Sequence, residues 1–197
     1  MRTTLALFLV AALLAGCTST PEPTSAGAPP SESRDAAVPP PDTTKTSARA
    51  DTPAAAWTDD PVHVERATDE ATLRAVRSAA HDGFDRVVFE FAEATLPSYH
   101  IAVPDAPVRQ CGSGRPVSLS GDARLEVRFD RTRAHTDAGT PTVTDRERSP
   151  GLPRLRVLTL TCDFEGMVEW ALGLATPGPF RVTELTDPTR LVVDVRR

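Results

Sequence analysis

The chain lacks the residue patterns that mark most enzyme active sites and metal centres. Its four histidines show no paired metal-ligand spacing, and neither Cys-x-x-Cys nor His-Glu-x-x-His occurs. Neither a Gly-x-Ser-x-Gly elbow nor a phosphate-binding glycine loop is present. The neighbouring carboxylates of Asp82 and Asp85 fall short of the roughly six to eight oxygens that calcium takes. We therefore predict a non-enzymatic protein without a metal site or a cofactor.

Lysine is also scarce. Lys45 is the only lysine among the 22 basic residues, and the net charge is −5. Proteins that bind nucleic acid or other polyanions carry an excess of positive charge, usually clustered on one face. This charge balance predicts that the chain does not bind nucleic acid.

No apolar run is long enough for an ordinary transmembrane helix, which needs about 20 residues. The longest run, residues 5–15, follows Arg2 and fits the hydrophobic region of an export signal. It leads into the sequence LAGC at residues 14–17, which resembles the lipobox of bacterial lipoproteins. The resemblance implies that Cys17 becomes the first mature residue and carries acyl chains, so that the protein is extracytoplasmic and anchored to the lipid bilayer. The alternative is a plain secretory signal with a chance cysteine.

Only two cysteines, Cys111 and Cys162, remain after Cys17. An even pair in an oxidising compartment predicts one disulfide, which would close a loop of about 50 residues. Two buried free thiols are the alternative.

Residues 18–60 have the composition of a linker. Proline, serine, threonine and alanine dominate, Trp57 is the only aromatic residue, and hydrophobic periodicity is absent. Such a segment buries too little apolar surface to offset its chain entropy, so we predict a disordered spacer between residues 1–17 and a domain at residues 61–197. Trp57 marks a point where the chain could begin to dock.

Short segments of residues 61–197 alternate apolar and polar side chains, which is the period of a β-strand. Val87, Phe89 and Phe91 share one side of such a segment, and residues 190–196 repeat the plan. Because there is no long amphipathic helix, we predict an all-β fold, a small β-sandwich. The predicted strands are residues 72–78, 86–91, 99–103, 116–119, 123–130, 155–162, 167–175, 180–185 and 191–195.

Two segments are less regular. Residues 72–78 fit both a helical and a strand pattern. Their short length favours a strand paired with residues 86–91, with residues 81–85 at the hairpin tip. Residues 132–153 are polar and contain two glycines and three prolines, so they predict a long loop that is either disordered or functional.

Several of these motifs together resemble a known family. The sequence HDGFDRVVFEF from His81, the later Pro97-Ser98-Tyr99 and the closing RLVVDV at residues 190–195 occur in the order found in the AMIN-like domain of actinobacterial lipoproteins. So do FEG at residues 164–166, WALG at 170–173 and PFRV at 179–182. The resemblance implies a β-sandwich related to the AMIN domain, which targets the cell envelope by binding peptidoglycan. It brings no catalytic residues.

The hairpin tip is the first candidate ligand site. His81, Asp82, Asp85 and Arg86 place both charge signs beside Phe84, a mixture that suits sugar hydroxyls or carboxylates because arginine donates in pairs. The alternative is that these residues have structural roles. Asp82 would then form the turn, Phe84 would fill the end of the sandwich, and Arg86 would form an ion pair with a neighbouring acid.

Two further candidates lie outside the hairpin. Arg190 and Asp194 could form a charged cross-strand ladder with Arg86 and Glu90, which is either a solvated surface or one that faces a ligand. Trp170 could stack on a sugar, but its spacing also fits a core position.

The sequence thus predicts a membrane-anchored, non-enzymatic envelope lipoprotein whose β-sandwich binds peptidoglycan or another cell-wall component. The alternative is a protein-interaction module that docks an envelope enzyme or a secretion component through its sheet edges or residues 132–153.

Overall fold

Eleven β-strands and no helix form residues 55–197, the part of the chain that a computed structural model describes. The all-β prediction is therefore confirmed, while the predicted signal segment with Cys17 and residues 18–54 of the predicted linker lie outside the described residues. Within residues 55–197 no helix is long and apolar enough to cross a membrane. The strands are β1 (Val62–Val64), β2 (Ala71–His81), β3 (Phe84–Phe91), β4 (Ser98–Ala102), β5 (Ala123–Asp130), β6 (Thr132–Arg133), β7 (Glu147–Arg148), β8 (Leu155–Phe164), β9 (Met167–Leu174), β10 (Phe180–Leu185) and β11 (Arg190–Arg196).

The strands make two sheets that pack as a sandwich. The six-stranded sheet has the order β1-β4-β5-β9-β8-β7, and the five-stranded sheet has the order β10-β11-β3-β2-β6. Every pairing between these strands is antiparallel except β2 with β6. The alternation read from the sequence is the alternation between core and surface, because the inward side chains of β3, β5, β9 and β11 are buried.

Aromatic rings from both sheets meet at the centre of this core. Phe89 and Phe91 of β3 each make an edge contact with Phe129 of β5, with ring centroids 5.2 and 5.1 Å apart. Trp170 of β9 lies 6.3 Å from Phe89. Such edge-to-face contacts contribute about 0.5–1.5 kcal/mol each beyond the burial of their area.

The predicted hairpin exists, with a turn at Asp82 and Gly83. Gly83 has a φ of +78°, which explains why a glycine occupies the second turn position. The ambiguity of residues 72–78 also has a physical cause, because the register shifts between Leu73 and Ala75. This bulge changes the spacing of inward side chains, so Leu73 and Val76 are both buried.

One predicted strand is wrong. Residues 116–119 form no strand, and only an isolated bridge joins Pro116 to Arg109. Proline has no N–H to donate to a ladder, so an alternating pattern that begins with proline is a weak strand signal. The segment belongs to a loop, residues 103–122, that crosses the outer face of the six-stranded sheet.

That loop is fixed at two points. Cys111 and Cys162 form the disulfide predicted from the sequence, with Cα atoms 5.2 Å apart. Gly173 of β9 lies directly beneath the loop, and a Cβ atom there would stand 2.3 Å from the backbone oxygen of Ser120. The loop can approach this closely only because residue 173 has no side chain.

Residues 132–153 are more ordered than a free loop. They contain β6 and β7, and Asp163 of β8 accepts hydrogen bonds of 2.9 Å from Ala134 N, His135 Nδ1 and Arg146 Nη2. The side chains of Thr142 and Arg148 donate to backbone oxygens of Leu73 and Val76 on β2. The segment therefore covers part of the edge of β2, which would otherwise expose unpaired backbone groups.

A fully buried carboxylate joins the two sheets. Asp85 of β3 has no exposed surface, and its Oδ2 accepts hydrogen bonds from the backbone N–H groups of Arg154 and Leu155 at 2.6 and 2.9 Å. Its Oδ1 accepts from Nε and Nη2 of Arg197 at 3.1 and 2.9 Å. Because β3 and β8 belong to different sheets, this one side chain connects both sheets and the C-terminal residue.

A second connection ties β10 to β4. Glu184 accepts two hydrogen bonds from Arg66, at 2.6 and 2.8 Å, and one from the hydroxyl of Tyr99 at 2.7 Å. Burial, followed by the hydrogen bond to Glu184, raises the pKa of Tyr99 well above its usual range, so the hydroxyl stays protonated and donates.

Asp85→Asn is expected to lower the free energy of unfolding by about 3–5 kcal/mol, because it replaces an acceptor of four hydrogen bonds and leaves buried donors unmatched. Urea denaturation measures this change. Asp82→Asn at the exposed turn is the matched control and should change stability by less than about 0.5 kcal/mol. Equal effects of the two substitutions would show that Asp85 does not join the sheets.

Candidate functional site

Three of the predicted site residues meet on the outer face of the five-stranded sheet. The rings of His81 and Phe84 stack with centroids 4.9 Å and planes 5° apart. The guanidinium of Arg86 lies 5.2 Å from the Phe84 centroid. All three side chains are at least partly accessible, because they stand on the side of the hairpin that faces away from the core.

Two arginines of this face share one carboxylate. Asp194 of β11 is only 1% exposed, although it stands on the outer face. Arg86 donates to it through Nε and Nη2, at 2.7 and 3.0 Å, and Arg181 of β10 donates through Nε at 2.7 Å. The register explains this, because Asp194 is paired with Arg86 on one side and Arg181 on the other.

Trp57 completes the group. Arg181 lies between two aromatic rings, with its guanidinium 4.6 Å from the Trp57 centroid and 4.7 Å from that of Phe84. Arg196 lies 5.7 Å from Trp57 on the same face. We call this surface the aromatic–arginine face; it consists of Trp57, Phe84, Arg86, Arg181, Asp194 and Arg196.

The balance of charge on this face is positive, with three guanidinium groups and one carboxylate. Arginine clamps carboxylates with its planar fork, and exposed aromatic rings offer flat apolar surface to sugars. The face can therefore hold a polar ligand that presents both hydroxyl and carboxylate groups.

The other predicted residues do not join this face. Asp85 points inward to the backbone of β8, so its predicted ligand role is wrong. Trp170 is fully buried in the core, which also excludes stacking on a ligand. Arg190 is paired with Glu90, and its Nε donates to Pro188 O. Because Arg190 lies four residues from Asp194 along β11, the two residues are about 13 Å apart. Asp82 lies exposed in the turn.

The charged ladder predicted between β3 and β11 is present in register but is not uniformly solvated. Arg86 is paired with the buried Asp194, whereas Glu90 forms its ion pair with Arg77 of β2. The pair of Arg86 with Asp194 is therefore structural, because the buried carboxylate fixes the positions of Arg86 and Arg181.

Sequence patterns alone do not identify Arg181 and Arg196 as site residues. The strand alternation of residues 180–185 and 190–196 places each on an outer side. Their proximity to Phe84 depends on the order β10-β11-β3, which no local pattern encodes.

Trp57 differs from these arginines because the sequence does single it out, as the one aromatic residue of the predicted linker. Its neighbour Thr58 already pairs with Phe180, so the chain joins the domain before the predicted boundary at residue 61.

Arg181→Ala should loosen Trp57, because it removes the cation held between Trp57 and Phe84, an interaction of about 0.5–2 kcal/mol. Iodide quenching of tryptophan fluorescence is expected to increase, with the whole increase coming from Trp57, since Trp170 is buried. Arg190→Ala, an arginine on the same sheet outside the face, is the control. Unchanged quenching in Arg181→Ala would mean that other contacts hold Trp57.

Comparison with known proteins gives one match. A family model described as the AMIN-like domain covers residues 71–197, from the first residue of β2 to the C-terminus. Searches of curated proteins and of solved structures give no significant match. The matched segment contains the hairpin, the core strands and all five strands of the five-stranded sheet, while Trp57 and β1 precede it. Because the match extends over more than half of the sequence, the chain belongs to the AMIN-like domain family.

Proposed function

We propose that this protein is a non-enzymatic cell-envelope lipoprotein that binds peptidoglycan or another cell-wall component through the aromatic–arginine face. Membership of the AMIN-like family suggests a cell-wall-related binding module. The observation that carries the choice of surface is the convergence of two partly exposed rings and three arginines on one sheet face. Wall polymers present sugar rings and carboxylates, which are the groups that this combination recognises.

The rigidity of the face supports the proposal. Asp194 holds two guanidinium groups in fixed positions, so little side-chain entropy is lost when a ligand binds them. Arg196 takes part in neither of these bonds and is exposed, which leaves its fork available to a ligand.

The wall-binding proposal is tested by retention of the full chain on purified sacculi. Arg196→Ala should weaken retention about tenfold, because one charge-assisted contact contributes about 1.5–3 kcal/mol. Arg156→Ala, an exposed arginine on β8 of the other sheet, should bind like the unchanged protein. Retention no better than that of an unrelated exported protein would overturn the proposal.

A second candidate function is docking of an envelope protein. It is favoured by the end of β2, where Ala79, Ala80 and His81 are exposed and no strand pairs with the outer side of the edge within the described residues. An extended peptide can add to such an edge through its backbone. A defined protein partner found by crosslinking in cells, with no retention on sacculi, would favour this candidate.

Membrane anchoring by acylated Cys17 forms part of the proposal and rests on the LAGC sequence. Cys17→Ala should release the protein from the membrane fraction or stall its processing, because each methylene of a buried acyl chain contributes about 0.8 kcal/mol to membrane binding. Fractionation and mass analysis of the N-terminus measure this, with Ser19→Ala as the control. A Cys17→Ala protein that is processed normally and stays in the membrane fraction would refute the anchoring.

A further inference from the structure

A groove runs along the outer face of the six-stranded sheet, away from the aromatic–arginine face. Its volume is about 420 Å³. Strands β4, β5 and β9 form the floor, and residues 103–109 of the crossing loop form one wall. The wall is mostly apolar, with Val103, Pro104, Ala106, Pro107 and Val108 among the lining residues.

The wall has a fixed position. Val108 is only 3% exposed, and its backbone oxygen accepts a hydrogen bond of 2.9 Å from Val117 N. The disulfide at Cys111 anchors the loop just beyond residue 109. The groove is therefore built by tertiary contacts on both sides and does not depend on a free loop.

The floor carries two carboxylates in defined register. Across β4, β5 and β9, one row contains His100, Arg128 and Glu169. The neighbouring row has Glu126 between Ala102 and Ala171. Since alanine is small, the space on both sides of the Glu126 side chain is open.

Among the described residues, Glu126 is the partly buried charged group of the groove that has no partner; Asp105, which also has none, is exposed. Within residues 55–197 the Glu126 carboxylate accepts no hydrogen bond and forms no ion pair. Arg128 is instead paired with Asp130, with Nε 3.2 Å from Oδ1, while Glu169 accepts a hydrogen bond of 2.9 Å from Thr161. Burial, and then the charge of Glu169, raises the pKa of Glu126. The carboxylate is thus half-buried without a compensating cation.

The remaining groups leave the groove suited to a cation. Asp105 adds a third carboxylate, and Arg109 of the wall already donates to Gly114 O. Burial, followed by the charges of Arg128 and His63, lowers the pKa of His100, so its ring stays neutral at neutral pH. Three carboxylates then face two arginines that already have partners.

We propose that this groove binds a lysine-like side chain of a peptide, with Glu126 and Glu169 accepting the primary ammonium and the apolar loop wall packing along the alkyl stem. An ammonium group donates three hydrogen bonds, and lysine commonly buries its methylene stem against apolar surface. No group of three metal-ligating side chains occurs among the described residues, so the carboxylate pair is not a metal centre of the usual kind. The proposal is independent of wall binding by the aromatic–arginine face.

Calorimetric titration of the full chain with Nα-acetyl-lysine N-methylamide tests the proposal. The norleucine analogue, which has the stem without the amine, should not bind measurably. Glu126→Gln should weaken binding of the lysine probe at least about tenfold, because it removes a charged acceptor. Glu147→Gln, an exposed acid on β7, should bind the probe normally. Equal binding of the two probes, or unchanged affinity in Glu126→Gln, would overturn the proposal.

A second probe, glucosamine, distinguishes an amino sugar from a lysine side chain as the source of the amine. Glucosamine presents an ammonium on a hydroxylated ring and should bind more weakly than the lysine probe, since it has no stem to pack on the loop wall. Glucosamine binding that exceeds lysine-probe binding would overturn the peptide assignment. Carbodiimide coupling then locates the bound lysine probe. Residues 55–197 contain no lysine, and in a Lys45→Arg background the probe is the only lysine-type amine that can couple to Glu126 or Glu169.

The thermal stability of Glu126→Gln shows whether this variant loses ligand binding alone or loses its fold. A glutamate whose pKa is raised on folding holds its proton more tightly in the folded state, so its ionisation costs stability as the pH rises through that pKa. Glu126→Gln removes this cost and should therefore have a Tm at neutral pH equal to or above that of the unchanged protein. The difference should vanish at a pH below the usual range of a glutamate. A lower Tm at neutral pH would show that Glu126 already has a partner and would overturn the proposal.

Discussion

The structure depends on the placement of aspartate side chains where water does not reach. Asp85 is buried between the sheets, Asp194 is buried beneath arginines on an outer face, and the side chain of Asp163 is only 6% exposed beneath residues 132–148. Each carboxylate accepts at least three hydrogen bonds, several of them from backbone N–H groups or guanidinium groups. A buried carboxylate is tolerated only when its partners are complete, so each one fixes the segments that supply its donors. Of the three, Asp85 connects the most distant parts of the fold, because its donors come from the start of β8 in the other sheet and from the C-terminal residue.

The two outer faces of the sandwich have different chemistry. The five-stranded sheet presents arginines and aromatic rings around a single carboxylate, while the six-stranded sheet presents a groove with an excess of carboxylates beneath an apolar loop. Our proposals assign a wall polymer to the first face and an alkylammonium group to the second. On each face, the groups left without complete partners among the described residues define the ligand that would complete them. Among residues 55–197, neither the guanidinium of Arg196 on the first face nor the carboxylate of Glu126 on the second has a hydrogen-bond or ion-pair partner.

Local patterns predicted the fold well because a sandwich buries one side of each strand. The alternation at Val87, Phe89 and Phe91 identified β3 and its inward face, and Asp82-Gly83 identified the turn. The pairing of Cys111 with Cys162 needed only the parity of the cysteines and the expected compartment. Where the pattern failed, a backbone effect was responsible. The bulge between Leu73 and Ala75 interrupts the alternation of inward and outward side chains in β2. Residues 116–119 alternate like a strand but begin with a proline and form only an isolated bridge.

The candidate site was less predictable, because it is made of residues distant in sequence. A charged residue in a sequence motif gives the same pattern whether it faces solvent or accepts hydrogen bonds from another strand. The sequence therefore predicts Asp85 in the ligand site, whereas the structure buries it between the sheets. Trp170 had the opposite ambiguity, since aromatic rings serve both cores and sugar sites. Arg181 could not be assigned at all, because its contacts with Trp57 and Phe84 require the strand order of the five-stranded sheet.

The amino-acid sequence by itself determined which residues form strands and which sides of them are apolar, because side-chain periodicity is a local property of the chain. Only the tertiary structure decided which charges are buried and which remain accessible, since burial depends on what another strand or loop places above a side chain. Asp194 is buried because arginines of both neighbouring strands close over it, and Glu126 has no partner in the described part of the chain because alanines flank it on both sides. Strand register, which is set by the packing of the whole sandwich, makes that difference.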